Sequence, residues 1–319
     1  MSVLENIKEK IIESESIVIL THENPDGDAM GSSLALMHAL KKFGKNVDVV
    51  VPVANKMFSI LPGFDEIKSE TTVTNYDLCI ALDSSDIERL HICKELFNKA
   101  KSTIVIDHHI TNQNFGDVNY VNAVASSTCQ NLVVIIGYLE IGIDKDIATC
   151  LYSGILTDTG AFRYNVQPET FEIAAMLLET GIDIAKIYKN FFDITTLVRT
   201  KLIGRALERI EILEEDKIAY TYITKEDEDE LGTEDGDHEE IVNFGRNIEN
   251  VEVSIFIRDI EDKRKVSLRS NEYVDVSLIA VKYGGGGHMK ASGFTTDMSR
   301  ELIKQSLIAD IAKQLKIEK

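Results

Sequence analysis

The chain has 319 residues, of which 44% are apolar, and its formal net charge is -19. This length predicts about two domains, and the acidic balance argues against long DNA or RNA duplexes as partners, because their phosphates would be repelled. No apolar run approaches the roughly 18 residues of a membrane span, and the first residues form an amphipathic charged pattern rather than a signal peptide. We therefore expect a cytoplasmic protein without membrane contact, and a small anion held by metal ions remains a possible substrate.

The first 190 residues alternate short apolar strands with helical patterns. The strand candidates are 17–20, 47–51, 78–82, 103–106 and 118–121, and helical patterns continue through 128–139 and 145–155. This alternation predicts an α/β fold with a mainly parallel, doubly wound sheet. The four cysteines form no Cys-x-x-Cys pair and lie in apolar or amphipathic runs, where cysteine is usually reduced and buried.

Ionisable side chains follow the first strand candidate. His22, Asp26 and Asp28 precede an apolar helical pattern, so they lie on a loop at the carboxyl end of a strand, where open α/β sheets place their ligands. One imidazole and two carboxylates within seven residues are metal-ligand types at a suitable spacing. The alternative is a polar turn in which Asp28 is only the N-cap of the helix.

The third and fourth strand candidates also end in such residues. Asp83 follows the third strand directly and is explained equally well as a ligand or as a helix cap, whereas Asp86 is better explained as a cap. The fourth strand ends in Asp107-His108-His109. Because adjacent residues point opposite ways in a strand, one imidazole is expected to face a metal and the other the substrate. Asp107 would fix the tautomer of one imidazole by accepting a hydrogen bond from its ring N–H. A solvated surface loop is the alternative.

Asp158 ends the helical pattern that begins near residue 145. A carboxylate there gains nothing from the helix dipole, which favours cations at the carboxyl end. Its position hints at cation binding, although a polar turn residue is by itself the simpler explanation. Helical patterns follow at 184–192 and 195–213, and we expect 188–205 to be a helical connection between domains 1–187 and 206–319.

The second domain begins with a strand candidate, 217–224. The next segment, 225–240, holds ten acidic residues and one lysine, which favours a solvated surface loop. Within it, Asp237-x-x-Glu240 resembles a capping box for a helix through Phe244. Strand candidates at 251–258 and 265–269 form a predicted hairpin, and a short helix near 275–281 follows. We therefore predict a smaller mixed sheet with helices.

A run of four glycines, 284–287, leads into His288 and a short apolar strand. Glycines leave backbone N–H groups open to an anion, as phosphate cradles require. The alternative is a flexible linker, although a linker is rarely followed at once by a histidine and a strand.

The N-terminal segments together resemble the DHH phosphoesterase superfamily, in the family's motif order: His22-x3-Asp26-x-Asp28, Asp83, Asp107-His108-His109 and Asp158. The resemblance implies a site for two Mn²⁺ ions, with Mg²⁺ or Co²⁺ as substitutes. It implies that His22 and Asp26 bind one ion, that Asp28, His108 and Asp158 bind the other, and that Asp83 bridges both. Asp107 would contact a metal ligand rather than the metal itself, and His109 would contact the substrate phosphate. The mixed imidazole and carboxylate set suits manganese better than magnesium.

The C-terminal part resembles the DHHA1 substrate-binding domain that accompanies many DHH enzymes. The resemblance implies substrate contacts from Arg269, Ser270, Gly285, Gly286, Gly287 and His288. The set also includes Arg258, although an exposed strand charge explains that residue better.

The compact two-domain layout most resembles the nano-RNases that also dephosphorylate 3′-phosphoadenosine 5′-phosphate (pAp). This implies hydrolysis of oligoribonucleotides of a few nucleotides, such as pApA, in a cleft between the domains. The alternatives are a soluble phosphodiesterase for cyclic di-AMP or pApA and a non-catalytic nucleotide sensor. The sequence leaves open the preferred substrate, the polarity of digestion and the oligomeric state, a homodimer included.

Overall fold

A computed structural model describes residues 2–234 and 236–315 of the chain. The chain divides into two compact units, Met1–Ile194 and Thr195–Lys319, and each unit has its own sheet and its own hydrophobic core. Across the described ranges, we find no helix with the length and apolar character that crossing a bilayer requires.

The sheet of the first unit has five parallel strands in the order β2-β1-β3-β4-β5. They are β1 (Ser16–Leu20), β2 (Asn46–Val50), β3 (Leu78–Leu82), β4 (Thr103–Asp107) and β5 (Val118–Val121). All five predicted strands are confirmed, and β1, β3 and β4 are neighbours in the centre. Because parallel strands end at the same edge, the loops that follow these three strands lie side by side.

The helices and 3₁₀ turns of the first unit alternate with these strands, as predicted. The α-helices are α1 (Val3–Glu13), α2 (Gly27–Lys42), α3 (Lys94–Lys99), α4 (Thr128–Tyr138), α5 (Lys145–Asp158), α6 (Pro168–Glu179) and α7 (Ile184–Tyr188). The 3₁₀ helices are Lys56–Ile60, Phe64–Glu66 and Ile87–Cys93, and a π-helical turn, Lys189–Asp193, follows α7.

Helices α2 and α5 pack so closely that glycine is required at their contact. A Cβ atom on Gly31 would lie 2.5 Å from the carbonyl oxygen of Cys150, and one on Gly154 would lie 3.1 Å from Cα of Asp28. Glycine is the residue that permits such an approach of two backbones. The close contact brings the first turn of α2 against the last turns of α5, and therefore Asp28 toward the end of α5.

The second unit contains a mixed sheet of six strands in the order β10-β11-β9-β8-β7-β6, in which only β7 and β8 are parallel. The strands are β6 (Glu211–Leu213), β7 (Ile218–Ile223), β8 (Val253–Ile260), β9 (Lys263–Ser270), β10 (Gly286–His288) and β11 (Ala291–Thr296). The helices are α8 (Leu197–Glu208), α9 (Lys225–Leu231), α10 (Ile241–Arg246), α11 (Val276–Lys282) and α12 (Arg300–Leu315). The predicted hairpin is confirmed as the antiparallel pair β8 and β9.

The predicted helix over 195–213 is too long. Helix α8 ends at Glu208, and Glu211–Leu213 forms strand β6, in which Ile212 lies opposite Ala219 of β7. The turn between these two strands contains Glu214, Glu215 and Asp216, all with positive φ. The prediction extended the helix to residue 213 because the apolar residues there have helical spacing. In the structure, the backbone hydrogen bonds of a strand at the sheet edge outweigh that preference.

The acidic segment 225–240 is not a loop throughout, and the predicted capping box is wrong. Lys225–Leu231 forms helix α9, whose N-cap Thr224 and third residue Asp227 make a capping box instead. Helix α10 begins at Ile241 with Glu240 at its N-cap and no side-chain bond there, while Asp237 Oδ2 accepts a hydrogen bond from Glu234 N–H. Arg205 and Arg209 pair with Asp227, and Arg258 pairs with Glu228, so this acidic stretch can fold into a partly buried helix.

Candidate metal centre

The loop between β1 and α2 holds the first group of predicted ligands. Asp26, rather than Asp28, is the N-cap of α2, since its Oδ1 accepts hydrogen bonds from Asp28 N–H and Ala29 N–H at 3.0 Å each. The alternative in which Asp28 caps the helix is therefore wrong. Asp28 lies within the first turn and is 1% exposed, and His22 is 7% exposed.

The residue after β3, Asp83, has a left-handed backbone with a φ of 54°. Such a conformation is costly for a residue other than glycine and occurs most often at functional sites. Its N–H donates to the carbonyl oxygen of Ile106 at 3.1 Å, which ties it to β4. The side chain is 2% exposed. Asp86 caps the following 3₁₀ helix through Glu88 N–H and Arg89 N–H, as predicted.

Strand β4 ends at Asp107, which holds the following histidines in place. Its Oδ1 lies 2.7 Å from His109 Nδ1 and accepts from His108 N–H at 2.8 Å, while Asn112 Nδ2 donates to Oδ2 at 2.6 Å. The hydrogen bond with Asp107 raises the pKa of His109 to about 9. Although burial raises the pKa of Asp107, the hydrogen bonds from His109 and Asn112 bring it below its ordinary value.

The prediction that the two histidines face opposite ways is wrong. Their ring centroids are 4.6 Å apart, and both rings lie 3.6 Å from Asp83 Oδ1, through His108 Nε2 and His109 Nδ1. The alternation of a strand does not apply to them because β4 ends one residue earlier, at Asp107.

The structure brings the six predicted metal ligands together. His22 Nε2 lies 3.7 Å from Asp83 Oδ2, and His108 Nε2 lies 3.6 Å from Asp158 Oδ2 and 3.9 Å from Asp28 Oδ2. Ligand atoms within 4.8 Å of one another define three groups: His22, Asp26 and Asp83; Asp28, His108 and Asp158; and Asp83, His108 and His109. Ligands that are each about 2 Å from one ion lie roughly 3–4 Å from each other, so these spacings suit a cation.

The carboxylates of this cluster oppose each other's ionisation. Burial first, and then the charges of Asp83 and Asp158, raise the pKa of Asp28 well above its ordinary value. Burial together with the charges of Asp83 and Asp26 raises the pKa of Asp158 to about 7. A divalent cation would relieve this repulsion, because opposite charge favours the ionised form. The donor set, two imidazoles with four carboxylates, therefore fits transition-metal ions such as Mn²⁺.

Sequence reasoning missed the contribution of helix α4. Thr128 N–H donates to Asp28 Oδ2 at 2.6 Å, Cys129 N–H donates to Asp28 Oδ1 at 2.9 Å, and the Thr128 hydroxyl donates to Asp83 Oδ1 at 3.1 Å. Asn131 Nδ2 donates to the carbonyl oxygen of Asp107 at 3.0 Å. The signal was present as a Ser-Ser-Thr run before an apolar helix, in which Ser127 is the N-cap. Helix N-termini stabilise carboxylates in this way.

Among the predicted substrate residues, the two arginines differ. Arg258 Nε lies 2.7 Å from Glu228 Oε1 in an ion pair that is mostly buried, so it is neither an exposed strand charge nor free of a partner. Arg269 is half-buried and donates to the carbonyl oxygen of Leu268 at 3.0 Å. Within 2–234 and 236–315 it forms no ion pair. The hydroxyl of Ser270 donates to the carbonyl oxygen of Met289 at 3.3 Å.

The glycine run is only partly open to an anion. The N–H groups of Gly284 and Gly285 donate to the carbonyl oxygens of Val281 and Ala280 and so close the end of α11. Gly286, Gly287 and His288 form the exposed edge strand β10. Gly287 has a φ of 142°, and a Cβ there would lie 2.5 Å from the carbonyl oxygen of Ala291. The composition therefore reflects a helix end and a close strand contact, which differs from the open cradle that we predicted.

Comparison with known proteins agrees with this architecture. Residues 16–155 match the DHH family, N-terminal domain, and residues 215–316 match the DHHA1 domain. The bifunctional oligoribonuclease and PAP phosphatase NrnA of Thermus thermophilus is 35% identical over 283 residues, which are 88% of this chain and 83% of that protein. The cyclic-di-AMP phosphodiesterase PdeA of Listeria monocytogenes is 28% identical over 97% of this chain but only 48% of that protein.

A solved structure extends the similarity to almost the whole chain. The crystal structure of an exopolyphosphatase-related protein from Bacteroides fragilis has a TM-score of 0.88 at 29% identity, and the match covers 98% of this chain and 96% of that one. The family matches, the identity to the Thermus protein and the arrangement of strands all agree. The chain therefore belongs to the DHH phosphoesterase family, in the two-domain form that carries a DHHA1 domain.

Proposed function

We propose that this chain hydrolyses short oligoribonucleotides, such as pApA, to mononucleotides and pAp to AMP, with two divalent cations, Mn²⁺ first among them. The observation that carries the proposal is the convergence of six ligand-type side chains in two groups, which are linked because Asp83 of the first group lies 3.6 Å from His108 of the second. The substrate class follows from the similarity to the Thermus oligoribonuclease and PAP phosphatase. A cytoplasmic location suits the four buried free cysteines.

In this proposal His22 and Asp26 hold one ion, Asp28, His108 and Asp158 hold the other, and Asp83 holds both. Two such cations supply a water nucleophile of lowered pKa and neutralise the charge on the phosphoryl oxygens. The hydrogen bonds from Thr128 N–H and Cys129 N–H keep the Asp28 carboxylate in place. Such supporting contacts orient the ligands of a metal site.

The protein supplies a further cation through His109. Its Nδ1 is engaged with Asp107 at 2.7 Å, and its raised pKa keeps the ring protonated at neutral pH. Nε2 is then the ring nitrogen that can donate a hydrogen bond to a phosphoryl oxygen of the substrate. Asp107 thus positions His109, and we place Asp83, Asp107 and His109 in the catalytic machinery.

In the second unit, Arg269, Ser270, Gly285, Gly286, Gly287 and His288 are proposed to bind the nucleotide. Arg269 is the strongest member of this set, because it is a half-buried cation without an ion pair in the described part of the chain. Arg258 is the weakest member, because Glu228 already neutralises it.

A second candidate function is hydrolysis of cyclic di-AMP, which the similarity to the Listeria phosphodiesterase supports. A non-catalytic nucleotide sensor is a third, but such a protein would have lost a metal ligand, and all six candidates converge here. These functions differ in substrate rather than in the metal centre, so a substrate panel separates them.

The test begins with protein that has been stripped with EDTA and reloaded with Mn²⁺, Mg²⁺ or Co²⁺. Metal analysis should approach two ions per chain, and hydrolysis should depend on the added metal. The loaded protein is then offered pApA, longer RNA, cyclic di-AMP, pAp and pyrophosphate, and we expect pApA and pAp to be consumed fastest. No bound metal and no activation by metal would contradict the metal centre, while preference for cyclic di-AMP would favour the second candidate.

A further inference from the structure

The second unit contains a polar cavity that the proposed function has not used. Its volume is about 760 Å³, which lies within the range of small-molecule pockets, about 300–1,000 Å³. It lies where β7 and β8 begin and where β9 and α10 end. Eight of its lining residues carry polar or charged side chains: Lys217, Arg246, Asn247, Asn250, Glu252, Asn271, Glu272 and Tyr273.

Two cations, Lys217 and Arg246, and two carboxylates, Glu252 and Glu272, line this cavity. Lys217 and Arg246 are half-buried, and neither forms an ion pair with another residue of the described ranges. The carboxylate of Glu252 is 4% exposed and accepts hydrogen bonds from the N–H groups of Glu272, Tyr273 and Val274 at 2.9–3.2 Å. Its charge is therefore taken up by backbone donors.

The cavity adjoins Arg269. Asn271, two residues after Arg269, donates through Nδ2 to the carbonyl oxygen of Arg246 at 2.9 Å, which links the end of β9 to the end of α10. Burial lowers the pKa of Arg269; the charge of Glu240 opposes this effect, and the charge of Arg246 adds to it. In the sheet Arg269 also lies opposite Ala291, which pairs with His288 on its other side. The cavity, Arg269 and His288 therefore share one end of the sheet.

We propose that this cavity is a nucleotide-binding pocket in which Arg246 and Lys217 bind a phosphate group and the side chains of Asn247 and Asn250 contact the base. Amide side chains carry both donors and acceptors and so match the edges of bases. The identity of the ligand as a nucleotide rests on the proposed function. The pocket would hold the part of a short oligonucleotide that extends beyond Arg269.

The test measures binding of adenosine 5′-monophosphate to the full chain by calorimetry in EDTA, so that the metal centre contributes nothing. The variants are Arg246→Ala, Lys217→Ala and Arg246→Lys, and Lys263→Ala is the matched control, at the opposite end of β9. We expect Kd to rise about tenfold or more in the two alanine variants, because each loses a charged contact with phosphate. Arg246→Lys should lie between them and the wild type, and Lys263→Ala should match the wild type.

Circular dichroism checks that each variant is folded. Adenosine, which has no phosphate group, is the control ligand, and its Kd should be the same for the variants and the wild type. Wild-type affinity for adenosine 5′-monophosphate in Arg246→Ala and Lys217→Ala, or an equal loss in Lys263→Ala, would overturn the pocket. If the pocket is overturned in this way but the wild-type protein hydrolyses pApA, the proposed function is retained without the pocket. If the variants behave as expected but wild type leaves pApA intact, the pocket stands and the proposed function fails.

Discussion

Buried aspartates in the two units have opposite electrostatic surroundings. In the first unit, burial and neighbouring carboxylates raise the pKa of both Asp28 and Asp158. In the second unit, Asp227 accepts hydrogen bonds from Arg205 Nη1 at 2.8 Å and from Arg209 Nη2 at 3.0 Å. The contact with Arg209 is the main reason why the pKa of Asp227 falls below its ordinary value.

This comparison distinguishes a carboxylate that is paired within the fold from carboxylates that are available to bind a ligand. Asp227 has its counter-charge within the fold, so it stabilises helix α9 and has nothing left to bind. The carboxylates of the candidate metal centre lack a lysine or arginine partner within the described ranges, so a bound cation would compensate their charge. Arg269, Arg246 and Lys217 are the cationic equivalents in the second unit. Perturbed and uncompensated groups are more often found at functional sites.

The largest effect is expected for Asp83→Ala. A carboxylate that is proposed to hold both ions would set their spacing, so its loss should lower kcat by about a thousandfold or more while the fold stays intact. Turnover of bis(p-nitrophenyl) phosphate with saturating Mn²⁺ is the measurement. Asp86→Ala, which removes only a helix cap, should keep most of the turnover. Near wild-type activity in Asp83→Ala would show that Asp83 does not hold both ions.

Asp227→Ala should have the opposite profile. Removing this carboxylate leaves two arginines without their partner and removes one half of a capping box, so the free energy of unfolding should fall by about 2 kcal/mol. The kcat for bis(p-nitrophenyl) phosphate should stay unchanged. Asp229→Ala is the control on the same helix, because its ion pair with Lys225 is exposed. Equal stability of the two variants in urea would mean that the arginine contacts of Asp227 contribute little.

Arg269→Ala and His288→Ala should affect substrate use without affecting the metal centre. We expect kcat/KM for pApA to fall about tenfold or more, since a charged contact with phosphate is lost. Hydrolysis of bis(p-nitrophenyl) phosphate, which is too small to need these contacts, should be spared. Lys263→Ala provides the control. If kcat/KM falls equally for pApA and for bis(p-nitrophenyl) phosphate, the second unit does not select the substrate.

The smallest effect concerns pH. The pKa of Asp227 in the folded chain lies below its ordinary value of 3.8, so its contribution to stability is complete above about pH 5 and is lost as the pH falls through the folded pKa. The difference in unfolding free energy between wild type and Asp227→Asn should therefore be larger at pH 7 than at pH 3. A difference that is the same at both pH values would refute the ion pairing.

Much of the fold follows from local pattern. The strands β1, β3 and β4 were predictable because they are short apolar runs that end at a polar loop, and the ligand-type residues were predictable because they occupy those loops. Asp86 was correctly predicted as a cap, whereas Asp28 was not the cap that the alternative proposed. The position of a helix cap depends on where the helix begins, which a sequence defines only to within one or two residues. Two aspartates that are close in sequence, such as Asp26 and Asp28, can therefore both be candidates for the same cap.

The acidic helix and the support of Asp28 depend on partners that are distant in sequence. Residues 225–231 looked like a solvated loop because Arg205 and Arg209, which neutralise Asp227, lie about twenty residues away. The glycine run is a local case, because the carbonyl groups that accept two of its N–H groups lie three and five residues earlier, in the last turn of a helix. The support of Asp28 by α4 spans 100 residues.

The sequence by itself determined which residues could bind metal, and that all of them except Asp158 would follow strands, because strand periodicity and residue chemistry are local properties. Only the tertiary structure decided how those residues are grouped, that both histidines lie beside Asp83, and which charged groups in the second unit remain uncompensated. The physical reason is that electrostatic free energy depends on the distance between charges in space and on their burial, and both are set only when distant segments pack together.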